Sequence, residues 1–259
     1  MAAFTYIAAD PCPDEPDVMT QSPGAHAALM DRVYRRQRYI YDLTRRYYLF
    51  GRDKMIRELA LRPGEAVVEI GCGTARNLIR IARLYPQAEL FGLDASTEML
   101  RTAAQNVAAA GLSGRIVLKQ GYAEALTPAL FGRSRPFDRA LFPYSLSMIP
   151  DWRQALSAAG EVLAEDGRLH AVDFGDLTGL GPVAGGLLRA WLRLFHVEPR
   201  VEILAALERQ SNQVSDSFGQ IILLPARYAF LWTSGKRGIR ALASSHVAPQ
   251  TQPTRNSPA

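Results

Sequence analysis

The chain has 259 residues, 48% of them hydrophobic, and a formal net charge of +5, which suits one α/β domain with additions and a sizeable core. No run approaches the roughly 18 uninterrupted apolar residues of a membrane span, and no charged-then-apolar leader opens the sequence. The two cysteines, Cys12 and Cys72, lack second ligands at metal spacing. That argues against zinc, and their places in a proline-rich tail and in a glycine turn argue against a disulfide, with a reducing cytoplasm as the default expectation.

Residues 1–25 carry Pro11, Pro13, Pro16 and Pro23 among scattered acids and read as a disordered tail. Residues 26–62 read as a helical lid or membrane-facing segment, with Gly51 as its break. One helical stripe runs Tyr34, Arg38, Tyr41, Arg45, Tyr48; a second runs Ile40, Leu43, Tyr47, Phe50 and is expected in the core. Residues 31–54 hold Arg32, Arg35, Arg36, Arg38, Arg45, Arg46, Arg52 and Lys54 against Asp31, Asp42 and Asp53. Eight minus three is +5, equal to the net charge of the whole chain. A solvated helix face, an anionic membrane surface and nucleic acid all fit that excess, and charge alone does not choose.

Residues 63–243 alternate strand and helix. Strands are expected at Ala66 to Ile70, Ala88 to Leu93, Arg115 to Lys119, Phe137 to Phe142 and Arg168 to Phe174. Helices are expected from Thr97 to Ala110 with Ser96 as cap, from Trp152 through Leu163 with Asp151 as cap, and from Glu198 to Gln210. Gln220 to Leu224 and Arg227 to Thr233, joined at Pro225-Ala226, look like a terminal hairpin. Residues 244–259, with Pro249, Pro253 and Pro258, read as a second disordered tail. The alternation implies an α/β fold, a doubly wound parallel sheet with helices on both faces.

The stretch Val67-Val68-Glu69-Ile70-Gly71-Cys72-Gly73-Thr74-Ala75-Arg76-Asn77 is a buried strand, a glycine turn and the start of a helix. That is the opening of a nucleotide-binding βαβ unit, in which glycine lets the backbone approach a ligand. Asp94 closes the next strand about 20 residues on, where such folds direct a carboxylate at ribose hydroxyls. A pyrophosphate wants helix-end N–H groups and no acid close by, yet Glu69 sits just before the turn. S-adenosylmethionine carries a ribose, an ammonium and a sulfonium and no phosphate, so it fits this pair of acids better than a dinucleotide. Gly71, Cys72, Gly73, Ala95, Met99, Gly121, Tyr122, Ala123, Phe142 and Ser145, at or just past strand C-termini, are the further positions expected to line its site.

From about residue 40 to 235 the chain resembles class I S-adenosylmethionine-dependent methyltransferases. It is similar, within them, to the diacylglycerylhomoserine N-methyltransferases of bacterial betaine-lipid synthesis. The runs that carry this are Tyr34-Arg35-Arg36-Gln37-Arg38-Tyr39-Ile40-Tyr41-Asp42-Leu43-Thr44-Arg45-Arg46-Tyr47-Tyr48, Tyr144-Ser145-Leu146-Ser147-Met148-Ile149-Pro150-Asp151-Trp152, His170-Ala171-Val172-Asp173-Phe174-Gly175-Asp176 and Phe195-His196-Val197-Glu198-Pro199-Arg200. The resemblance implies a Rossmann-like fold with a mostly parallel seven-stranded sheet and an N-terminal lid helix. It also implies successive methylation of the lipid amine to diacylglyceryl-trimethylhomoserine. Two positions depart from the family: Ala75 replaces a third glycine, and Tyr122 stands where many relatives carry an aspartate toward adenine.

Methyl transfer to an amine is an in-line displacement, so rate comes from alignment and desolvation, with the amine kept unprotonated. Aromatic faces attract sulfonium and methylated ammonium, which makes Tyr41, Tyr48 and Tyr144 the expected catalytic tyrosines, with Arg45 beside them. Tyr34 is a further acceptor-binding candidate. The homoserine carboxylate wants a two-pronged arginine, for which Arg45, Arg46, Arg52 and Arg200 are candidates. His196 and Trp191 complete the acceptor set, and Leu187, Trp191 and Phe195 are candidates for an acyl groove or, equally, for a buried helix face. No metal is expected. Partners would be a lipid at an anionic membrane surface and an enzyme making diacylglycerylhomoserine, with the chain cytoplasmic and peripheral on the inner face. A methyltransferase for a quinone precursor or a small soluble amine, and a basic nucleic-acid-binding module, are the alternatives. The basic segment carries no recognisable nucleic-acid motif.

Overall fold

β1, Ala66–Ile70, buries all five of its side chains, as a strand covered on both faces must. The computed structural model describes residues 49–194, 199–213 and 219–244. In chain order these form α1 (Arg52–Arg57), β1, α2 (Arg76–Leu84), β2 (Glu89–Asp94), α3 (Thr97–Ala109), β3 (Ile116–Gln120), β4 (Phe137–Pro143) and α4 (Trp152–Glu161). β5 (Leu163–Phe174), α5 (Gly181–Leu194), α6 (Val201–Gln213), β6 (Gln220–Leu223), β7 (Ala229–Gly235) and α7 (Lys236–Ala243) follow. The tail at 1–25 and residues 26–48 of the expected lid lie outside the described residues.

The seven strands form one sheet in the order β3-β2-β1-β4-β5-β7-β6. β1 to β5 pair in parallel, and β7 runs antiparallel to both β5 and β6. This is the expected Rossmann-like, mostly parallel seven-stranded fold. Strand order reverses between β1 and β4, and such a switch point opens a crevice beyond the strand C-termini.

Alternate side chains of β1 serve opposite faces. Val68 and Ile70 pack with Trp152 and Leu156 of α4, Leu204 and Leu207 of α6, and Ile239 and Leu242 of α7. Val67 packs with Ile56 of α1, Leu78 and Ile81 of α2, Val107 of α3 and Leu192 of α5. The two cores leave the C-terminal edge of the sheet for a ligand.

Three local readings need correction. Phe50, expected in the core, is 59% exposed and only sets a ring edge on Tyr228, at 5.4 Å between centroids. Gly51 turns the chain there at φ +87°, and Val172, Leu224 and Leu231 already fill the space beneath it. β5 begins at Leu163 rather than Arg168, because Leu163 pairs with Phe137 across a register shift. α7 was not foreseen. Gly238 inside it lowers helix propensity, but Ile239 packs onto Gly160 of α4, where an added Cβ would come within 3.0 Å.

Candidate functional site

The turn after β1 is clamped from two sides. The Gly71 and Cys72 N–H groups both donate to the Leu93 carbonyl, at 2.8 and 3.0 Å. The Ser145 hydroxyl, just past β4, donates to the Ile70 carbonyl at 2.6 Å. Gly71 has φ +72°, and a Cβ there would lie 2.5 Å from the Ser145 Cβ, so glycine is required for both conformation and space. Ala75 adopts φ +60°, the left-handed geometry that the family's third glycine would take without strain.

Asp94 closes β2 and caps the far side of the turn. One carboxylate oxygen accepts from the Gly73 N–H at 2.7 Å and the other from the Ser96 N–H at 2.9 Å. Glu69 is 1% exposed and accepts from the Asn77 amide at 2.8 Å, joining β1 to the first turn of α2. Burial, then the Asp94 and Glu69 carboxylates, push the Cys72 thiol up, so it stays protonated and is no nucleophile.

Gly71, Gly73, Asp94, Ala95, Met99, Gly121, Tyr122, Ala123 and Ser145 all line one cavity, along with Leu93, Ser96, Tyr144, Met148 and Ile149. Glu69 and Cys72 line an adjoining recess that shares Gly71 and Gly73 and adds Arg52, Arg76 and Asn77. Phe142, expected with them, is instead fully buried in the core and lines neither. The first cavity presents the carboxylates of Asp94 and Glu124 and, among the described residues that line it, no cationic side chain. Those residues suit a cationic, ribose-bearing cofactor, and nothing in that lining would neutralise a pyrophosphate.

Two side chains that sequence reasoning did not single out hold the cavity's rim. Asp173, buried in β5, accepts from the Ser147 N–H and the Ser147 hydroxyl, each at 2.8 Å, and from the Phe174 N–H at 2.8 Å. This latch fixes the turn from Leu146 to Met148 that leads into the Ile149-Pro150 rim. Burial raises the Asp173 carboxyl to about 6. An acid inside the apolar stretch Ala171-Val172-Asp173-Phe174 was the signal available.

Tyr144 is 2% exposed, has φ +60°, and donates from its hydroxyl to the Phe50 carbonyl at 2.6 Å. Its ring meets Phe174 edge-on at 4.8 Å. It thus lines the cofactor cavity while gripping a residue that lines a second, larger cleft. That cleft, about 1310 Å³, runs between α1, the outer face of α2, Leu180 and the Leu224 to Tyr228 turn. Among the described residues its lining carries Arg52, Lys54, Arg57, Arg76, Arg80 and Arg83 against one carboxylate, Asp53, beside apolar Leu49, Phe50, Ile79 and Leu224.

Among the acceptor candidates, Arg52 lines this cleft and the adjoining recess. Arg200 instead donates to the Pro150 carbonyl at 3.1 Å, on the cofactor-cavity rim. Trp191 packs against the core around Leu192, whereas Leu187 is 69% exposed, so the two do not share one groove. Tyr34, Tyr41, Tyr48, Arg45, Arg46, Phe195 and His196 lie outside the described residues. Among the described residues no His, Cys, Asp and Glu group could hold a metal, and no helix is long and apolar enough to cross a membrane.

Residues 67–167 match the family model described as a methyltransferase domain. The chain is 32% identical over 217 residues to the ubiquinone/menaquinone biosynthesis C-methyltransferase UbiE of Syntrophotalea carbinolica, covering 82% of this chain and 84% of that one. It is 29% identical over 177 residues to the demethylmenaquinone methyltransferase of Deinococcus radiodurans, covering 64% and 67%. Among solved structures, an S-adenosylmethionine-dependent methyltransferase from Aquifex aeolicus shares the fold, with a TM-score of 0.52 at 15% identity over 83% of this chain and 98% of that one.

Proposed function

The chain belongs to the class I S-adenosylmethionine-dependent methyltransferases, and from that premise we propose that its acceptor is the amine of diacylglycerylhomoserine, methylated in succession to the trimethylated betaine lipid. The observation that carries this reading is the cleft beside the cofactor cavity, where six cationic side chains among the described residues stand against one carboxylate along partly apolar walls. A headgroup with a carboxylate next to its amine calls for arginine at that place. A quinone ring does not.

S-adenosylmethionine supplies an electrophilic methyl group when bound. Asp94 would accept from the ribose hydroxyls, the Gly71–Gly73 backbone would let the methionine end approach, and Met99, Tyr122 and Ala123 would flank the adenine. Arg52 and Arg76 would hold the acceptor carboxylate. Cationic side chains in the cleft also disfavour a protonated amine, which keeps the attacking lone pair available without a dedicated base. Tyr144 and Phe174 would exclude water from the path between the two cavities.

A second reading, C-methylation of a quinone precursor, is favoured by the activity for which the 32%-identical relative is named. The two separate in one experiment. Purified full-length protein is given labelled S-adenosylmethionine with detergent-dispersed diacylglycerylhomoserine or with a reduced demethylated quinone, and products are weighed by mass spectrometry. Label on the lipid amine, up to three methyl groups, is the expected result. Label on the quinone alone would transfer the assignment to the second reading.

A further inference from the structure

α5 is anchored on one side and bare on the other. Leu192 is fully buried and Leu188 packs against the same core. Val183 and Leu187 are 75% and 69% exposed, and residues four apart stack one above the other on a single face. Ala190 continues that face and is also exposed. The helix contains no acidic residue, and Arg193 is exposed on its flank. Leu180, which immediately precedes α5, is part of the wall of the cationic cleft, so the apolar ridge adjoins that cleft's rim.

We propose that this ridge, Val183 and Leu187, docks on an anionic lipid surface and sets the cationic cleft against the headgroup layer. A helix with an apolar face and flanking cations is the form that lies in a bilayer interface, and basic side chains near it gain from anionic lipid. Two other occupants carry the wrong sign. A second copy paired about a twofold axis would bring this cationic face against itself. The chain's own segment 31–48, outside the described residues, holds six cations against two acids and would add like charge. The proposal rests on the lipid reading above, because an acceptor held in a bilayer has to be met there, but it fails or stands separately.

The test is sedimentation of the full-length protein with vesicles of phosphatidylcholine alone or of equal parts phosphatidylcholine and phosphatidylglycerol. The unaltered chain should bind the mixed vesicles, lose binding as salt rises, and bind the neutral ones weakly. The double substitution Val183→Glu, Leu187→Glu should lower vesicle affinity at least tenfold. Its S-adenosylmethionine affinity by calorimetry should not change, which shows that it folds. Equal binding by both proteins, or no binding by the unaltered chain, overturns the proposal. So does a dimer in analytical ultracentrifugation that the double substitution dissociates without changing vesicle binding. Vesicle binding with no methylation of dispersed diacylglycerylhomoserine would sink the acceptor assignment and leave the docking face standing. The converse would sink the docking face alone.

Discussion

The Tyr144 hydroxyl and the Phe50 carbonyl are 2.6 Å apart across 94 residues of sequence, and this bond ties the wall of the cationic cleft to the lining of the neighbouring cavity that holds Asp94. Tyr144→Phe keeps the ring against Phe174 and removes the hydroxyl that makes that bond. Stability should fall by about 1 kcal/mol, the usual worth of one such bond. The KM for the acceptor should rise while S-adenosylmethionine affinity stays constant. Steady-state kinetics and calorimetry on the same preparation check this, and a change in cofactor affinity alone would contradict it.

Asp94→Ala removes the carboxylate that faces the ribose position and also frees the Gly73 and Ser96 N–H groups. Cofactor binding should weaken at least tenfold by calorimetry. Circular dichroism should still report a folded protein, since Asp94 lies at the edge of the sheet and not in either core. Unchanged affinity would remove Asp94 from the site.

Gly71→Ala places a methyl group 2.5 Å from the Ser145 Cβ and holds alanine at φ +72°. Overpacking and left-handed strain together should cost about 2–4 kcal/mol and abolish cofactor binding. Adding Ser145→Gly relieves the clash but not the strain, so thermal stability should recover only in part. Full recovery would show that crowding, not backbone conformation, makes glycine necessary here.

Two buried groups should pull stability in opposite directions as pH changes. His170 is held at about 3, by burial first and then by Arg139 and Arg168. The unfolded chain therefore binds the proton that the folded chain refuses, and stability falls as pH drops below about 6.5 toward 3. Asp173 is raised to about 6 by burial. Its contribution is present at low pH and is lost as pH rises from about 4 through 6. Each slope is about 1.4 kcal/mol per pH unit within its window, so the two offset between about pH 4 and 6. Urea denaturation across that range should show stability rising with pH in Asp173→Asn and falling with pH in His170→Leu, each relative to the unaltered chain. Parallel curves for all three proteins would refute the assignment.

β1 to β4 were legible because each is short, largely apolar and ended or followed by glycine, proline or an acid, whereas β5 was legible only from Arg168 onward. The glycine turn and Asp94 were legible because their backbone demands are written in residue type. Phe50 was misread because helical periodicity was carried into a residue next to Gly51, where the left-handed turn redirects the chain. The Ser147–Asp173 latch and the Tyr144–Phe50 bond join residues 26 and 94 positions apart, and spacing of that kind has no local signature. Phe142 shows the same limit. Standing beside a ligand-lining serine says nothing about which face of the sheet a strand residue enters.

β7 has a consequence for synthesis. It pairs along its whole length with β5, from Phe174 opposite Ala229 to Arg168 opposite Gly235, yet it leaves the ribosome only after α5, α6 and β6 have been made. Until it arrives, the nascent chain displays the open edge of β5, a template for pairing with other chains. Release of a product truncated before Ala229 should therefore favour inclusion bodies or chaperone capture over a smaller working enzyme.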